Sequence, residues 1–248
     1  MNPKTIRFAV VALALMSVLH GTGSRAQALS DASQPSLAFK FTPSYYHISD
    51  GNHAADLNLR ANYGDQVGWI GFYRDRTGFQ QARAGYEQHF DLDVVRLVLS
   101  AQVASGGFLG GSVNAEIGGD TFAIVGFGRT NLRDYYNLNF DPNDAITFGI
   151  GTRALKDTEL SLYRVQDDRL GTSQRVTHLI ARRTFAETQR FGVDYSYKSG
   201  QDSTGGYGRG SGLTLTYDFR PWFMRVGYDP DVNFSGRRMV LFAFGRRF

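Results

Sequence analysis

Few residues in this 248-residue sequence combine reactive chemistry with a recognisable spacing. His47, Ser49 and Asp50 fall within one short polar stretch, with His53 just beyond. A neutral imidazole takes a hydroxyl proton near neutral pH, so His47 is a candidate base and Ser49 a candidate nucleophile. These are also common residue types for a polar loop, and neither Gly-x-Ser-x-Gly nor His-Glu-x-x-His occurs, so no hydrolase elbow or zinc helix is indicated. His89 and His178 stand alone. Asp229-Pro230-Asp231 and Asp141-Pro142-Asn143-Asp144 lack the ligand spacing of a calcium loop and read as proline turns. No metal and no cofactor is expected. What remains is charge in alternation. Lys40, Arg60, Arg83, Arg96, Arg153, Arg190, Lys198 and Arg225, with Asp56, Asn58, Glu87, Glu116, Glu159 and Asp194, each occupy the polar positions of a segment whose other positions are apolar. The set holds eight cations and five anions. An arginine fork binds a carboxylate or phosphate through two parallel hydrogen bonds, so the chemistry on offer is recognition of anions.

Strands must hold such charges, because only strands send successive side chains to opposite faces. Ala55, Leu57, Leu59, Ala61 and Tyr63 alternate with Asp56, Asn58, Arg60 and Asn62, and Val95, Leu97, Leu99, Ala101 and Val103 alternate with Arg96, Ser100 and Gln102. Extending the count predicts strands over 37–46, 55–63, 67–74, 80–90, 94–104, 108–117, 121–129, 145–153, 158–165, 175–183, 190–198, 212–218, 222–228 and 239–248. Segments 67–74 and 121–129 are apolar on both faces, which leaves their register open. Every second connection has five residues or fewer, whereas the others include 130–144 and a glycine-rich stretch over 199–211. The first of these carries Arg133, Asp134, Tyr135, Tyr136 and Phe140, and either folds inward as a constriction or stands up as a hairpin extension. Aromatic residues gather at both ends of the strands: Tyr63, Phe90, Phe219, Trp222 and Phe248 by the short turns, Tyr45, Tyr73, Phe79, Tyr197 and Tyr228 by the long connections.

Residues 1–28 read as a cleaved signal peptide, with Lys4 and Arg7, an apolar run over 8–19 and Ala26-Gln27-Ala28 at the cleavage site. The twelve-residue run is shorter than the roughly 20 residues a spanning helix needs. Residues 29–35 form a short polar lead-in, and 36–248 one domain. Without the leader the net charge falls from +4 to +1, so no basic tail argues for a nucleic-acid partner. There are no cysteines, hence no disulfide framework. A mean hydropathy of −0.29 suits strands that place only alternate residues in lipid.

The last ten residues, Met239 to Phe248, put Val240, Phe242 and Phe244 on one face and finish on Phe248. This resembles the closing strand of Gram-negative outer-membrane β-barrel proteins, although Arg246 stands where that family usually carries an aromatic or aliphatic residue. The resemblance implies an all-β, antiparallel up-and-down transmembrane β-barrel of 14 strands, or 12 if the two least certain merge with neighbours. It implies the bacterial outer membrane, outer-membrane lipid and the barrel-assembly machinery as partners, with Val240, Phe242, Phe244 and Phe248 as the assembly signal. Fourteen strands enclose a backbone radius of roughly 14 Å. The expected function is a porin-like channel for small or extended polar or anionic solutes, saccharides included, with the lumen arginines as selectivity elements. Two alternatives stand beside it: a lipid-modifying enzyme using His47, Ser49 and Asp50 at the rim, and a closed structural barrel whose charges pair across the lumen.

Overall fold

The structure, a computed structural model, describes residues 35–248 apart from 187, 188 and 203. The expected signal peptide and nearly all of the lead-in lie outside the described residues. Fourteen strands follow one another: β1 (Ala38–Ile48), β2 (His53–Tyr63), β3 (Gln66–Asp75), β4 (Gln80–Asp91), β5 (Val95–Ala104), β6 (Phe108–Gly118), β7 (Thr121–Thr130), β8 (Ala145–Thr152), β9 (Thr158–Asp167), β10 (Arg175–Ala186), β11 (Gln189–Gln201), β12 (Tyr207–Phe219), β13 (Trp222–Asp229) and β14 (Met239–Arg247). Each pairs antiparallel with its neighbours in sequence, and β14 pairs with β1 from Lys40↔Arg247 to Ile48↔Met239, closing the barrel. The count is 14, so the twelve-stranded alternative does not arise. Closure leaves no edge strand whose amides would need another partner.

Alternation decides which face is which. Leu57, Ile70, Val113, Ile150 and Phe242 point outward and stay exposed, while Asp56, Asn58 and Arg60 point inward. The two ambiguous strands resolve the same way: β3 turns Ile70 and Phe72 outward and Val67, Trp69 and Tyr73 inward, and β7 turns Val125 and Phe127 outward and Phe122 and Ile124 inward. An inward Trp69 needs room, and Gly85 opposite it on β4 provides that room. A Cβ at Gly85 would collide with the indole ring.

Two expectations change, and one feature is new. The stretch 199–211 is mostly strand, with pairing continued through Ser199↔Arg209, Gly200↔Gly208 and Gln201↔Tyr207. Its glycines mark close approach: a Cβ at Gly210 would meet Pro230 at 2.6 Å, and one at Gly208 would meet the Asp231 carboxylate at 2.7 Å. Tyr73 is not part of an outer aromatic belt; it is fully buried inside the barrel. Finally, Tyr46, Ile48, Ala54, Tyr73, Met239, Leu241 and Ala243 form a small apolar core inside the long-loop end, joined by Val232 from the last connection.

Candidate functional site

The connection between β7 and β8, residues 131–144, folds into the barrel. Asp144 anchors its far end by accepting hydrogen bonds from the Thr130 amide (3.1 Å) and from Arg169 (2.7 Å). Farther along, Gln81 holds the loop by both ends of its amide. Its Nε2 donates to the Asp134 carbonyl, and its Oε1 accepts from the Tyr136 amide, each at 3.0 Å. Aromatic stacking continues the attachment, with Tyr135 on Phe108 (centroids 4.1 Å apart) and Tyr136 on Tyr73 (4.3 Å). Burial pushes both loop tyrosine hydroxyls above their ordinary pKa. The tip reaches Tyr46 on β1, where Phe140 meets it edge-on at 6.3 Å. β1 is seven strands from β8, half the ring, so the loop crosses the lumen.

Two residues of the loop hold left-handed backbone conformations, Leu132 at φ 60° and Phe140 at φ 63°. Such positions persist where surrounding contacts over-determine them. For Phe140 those contacts are Tyr46 and the core behind it. On the opposite wall, His178 of β10 contacts Asp141 of the loop through Nε2 (3.1 Å) and Asp194 of β11 through Nδ1 (2.9 Å), with Tyr163 stacked on its ring. His178, isolated in the sequence, therefore ties the loop to the wall.

Below the loop the lumen opens into cavities of about 700 and 790 Å³. The first is lined by Lys40, Asp56, Asn58, Arg60, Arg83, Glu87 and Arg225, the second by Arg60, Glu159, Arg182, Arg190, Asp194, Asp218 and Arg225. A third, of about 390 Å³, takes in Glu116, Asn114 and Glu159.

Most of these charges are paired, and the pairs run along the wall. Arg60 meets Glu87 at 2.7 Å, Arg83 meets Asp56 with both side chains buried, and Arg153 bridges Glu116 (2.6 Å) and Glu159 (3.2 Å). Arg182 also reaches Glu159, and Asp218 takes both Arg190 and Arg247. Every pair joins adjacent strands or strands one removed; among the described residues no ion pair between strands spans the lumen. Lys40 and Arg225 have no carboxylate within 4.0 Å among the described residues.

The structure separates some residues that the alternation grouped. Arg96 lies on the inner face but at the short-turn mouth, exposed and paired with Asp91 at 3.3 Å. Lys198 is buried at the opposite end, bonded to Asp229 at 2.8 Å and to the Asp231 carbonyl. Arg182, Asp218, Arg247 and Gln81 also face the lumen, and their only signal in the sequence is the inward phase of their strands. At the rim, His47 and His53 face outward. Nδ1 of His47 meets Nδ1 of His53 at 3.1 Å, and the Tyr45 hydroxyl lies 2.6 Å from the same His53 atom. Ser49 accepts from the Arg238 amide and Asp50 pairs with Arg237, so the structure does not bring His47, Ser49 and Asp50 together as base, nucleophile and acid. Val240, Phe242 and Phe244 face outward as expected.

No protein-family model matches the sequence, and no curated protein matches it. Among solved structures the barrel is similar to the outer membrane protein Omp33 of Acinetobacter baumannii, at 9% identity and a TM-score of 0.54, over 85% of this chain and 97% of that one. It is also matched by the KdgM porin, at 9% identity and a TM-score of 0.48, over 84% of this chain and 99% of that one. The fold shared with Omp33 is the closed antiparallel barrel.

Proposed function

We propose that this chain is an outer-membrane channel for small polar and anionic solutes, exported with its first 28 residues as signal peptide and inserted by the barrel-assembly machinery. The observation that carries the reading is the loop 131–144, fastened across a polar lumen that stays hollow beneath it. A barrel serving only as structure needs no such element, since strand pairing already satisfies its backbone. The location is supported by the belt of outward Leu, Ile, Val and Phe side chains around the barrel, far more apolar surface than a soluble monomer exposes. Anion preference is supported by wall charges that leave Lys40 and Arg225 uncompensated.

The test is conductance of the folded protein in a planar bilayer under a salt gradient. Steady openings with a reversal potential on the anion side are expected. A folded barrel that never conducts would sink the proposal.

A further inference from the structure

The uncompensated cations lie on the wall formed by β13, β14, β1 and β2, where Lys40 and Arg225 line one cavity and Arg225 is two strands across from Ser44 through Ala243. Lys40 is the register partner of Arg247 on one side and of Arg60 on the other, so three cations stand in a row on adjacent strands. Like charges directly opposite repel, and such a row is unfavourable unless something negative shares it. Part of the compensation is present: Arg60 has Glu87, and Arg247 donates to Asp218. The rest is not. Lys40 has no carboxylate partner, Arg225 has none, and Nη1 of Arg247 is buried with no acceptor among the described residues.

The cations are also held in place. The Lys40 ammonium lies 4.2 Å from the centroid of the Phe223 ring, and the Arg247 guanidinium 5.0 Å from the same centroid. Phe223 is fully buried and rests where Gly245 lacks a side chain; a Cβ there would collide with the ring. Attraction to the ring face fixes each cation without consuming its hydrogen-bond donors. Arg225 follows two residues after Phe223 on the same inner face, exposed to the lumen and lining both large cavities. Among the described residues nothing accepts from its fork, which can hold an oxyanion by two bonds, with Lys40 adding a point charge. From Lys40 the inner face continues through Thr42 and Ser44, with Asn58 as the register partner of Thr42. Hydroxyl and amide groups therefore lie beside the cations, where the body of a bound solute would rest.

We infer that Lys40, seated on Phe223, and Arg225 form a binding site for the carboxylate of a small polyhydroxylated acid whose hydroxyls are met by Thr42, Ser44 and Asn58. The inference deepens the channel reading and rests on it, since it makes the site a stopping point along the path of permeation. A bound carboxylate gives the Lys40 ammonium and the Arg225 fork an acceptor and offsets the repulsion, which a passing chloride does less well because it offers no two-oxygen face to the fork.

Calorimetry with the protein folded in detergent, titrated with sodium gluconate, tests the site directly. Saturable binding is expected, at least tenfold tighter than for acetate and absent for glucose. Arg225→Gln, which breaks no ion pair, and separately Lys40→Gln are each expected to weaken gluconate binding at least tenfold while the far-ultraviolet β-signal is unchanged. The inference is overturned if the wild-type protein gives no saturable gluconate binding, if acetate binds as well as gluconate, or if both variants bind like wild type. In bilayers, gluconate should block chloride current saturably, and less in Arg225→Gln. An anion-preferring channel with neither block nor binding removes the site and leaves the channel standing. A silent barrel that still binds gluconate in an Arg225-dependent way removes the channel and leaves the site.

Discussion

Gln81→Met is the substitution that tests how the loop is held. Gln81 is 1% exposed, and its amide forms the pair of bonds to the loop backbone, to the Asp134 carbonyl and from the Tyr136 amide. Methionine keeps the volume and the unbranched shape but can neither donate nor accept in this way. With the loop docked, one backbone C=O and one N–H then lose their partners, at about 1–3 kcal/mol each. With the loop swung out, both groups recover water. The docked state thus loses at least ~2 kcal/mol relative to the released one, a shift of roughly 30-fold in their ratio. The two tyrosine stacks, at about 0.5–1.5 kcal/mol each, are of the same size and do not mask such a loss. Single-channel recordings should show a larger and noisier conductance than wild type. Trypsin should cut after Arg133, next to the Asp134 anchor, faster in the variant than in wild type. Unchanged conductance together with unchanged cleavage would refute the claim that this bracket holds the loop in the lumen.

Three further substitutions probe the wall. Arg96→Gln should leave the reversal potential where it is, because Arg96 sits exposed at the mouth beside Asp91, whereas Arg60→Gln combined with Arg225→Gln should move it toward zero; equal effects would contradict the placement of these side chains. Asp56→Asn strands the buried Arg83 and should cost about 3–5 kcal/mol of unfolding free energy, most of it recovered when Arg83→Met is added, as urea titration of the folded barrel would read. Gly85→Ala presses a methyl group against Trp69 and should destabilise by about 1–3 kcal/mol, and a wild-type denaturation midpoint would show that the indole moves aside freely.

How much was legible depended on which physical rule wrote each part. Strand positions follow from alternation between oil and water, and alternation is local, so Asp56 to Asn62 and Val95 to Val103 could be read residue by residue. The rule fails where both faces are apolar for different reasons. Tyr73 looks like a belt aromatic until Tyr136 arrives to stack on it, and that contact joins residues 63 positions apart. It fails again at 199–211, where glycine suggested a loop. Those glycines accommodate Pro230 and Asp231, which no local window contains. His178 stands alone in the sequence for the same reason, since Asp141 and Asp194 reach it only through the loop and the neighbouring strand. The inward charges were visible as a set, but a set does not reveal who pairs with whom. Arg96 and Arg225 look alike in the alternation; one ends at the mouth against Asp91, the other in the lumen with no acid paired to it among the described residues.

That difference bears on whether the barrel is a plug or a passage. Filling a lumen of roughly 14 Å backbone radius with salt bridges would require side chains from opposite walls to meet, each ion stripped of water and repaid only by near-ideal geometry. The observed pairs take the other course. Arg60–Glu87, Arg153–Glu116 and Arg247–Asp218 each skip one strand, and Arg190–Asp218 and Arg182–Glu159 skip none, so neutralisation is settled within a few ångströms of the wall. What crosses the lumen is the loop, and it is fastened by hydrogen bonds and aromatic stacks at defined points. Charges kept to the wall leave the centre to water. A single loop across that centre narrows the path, while the free donors of Lys40 and Arg225 remain facing the water it encloses.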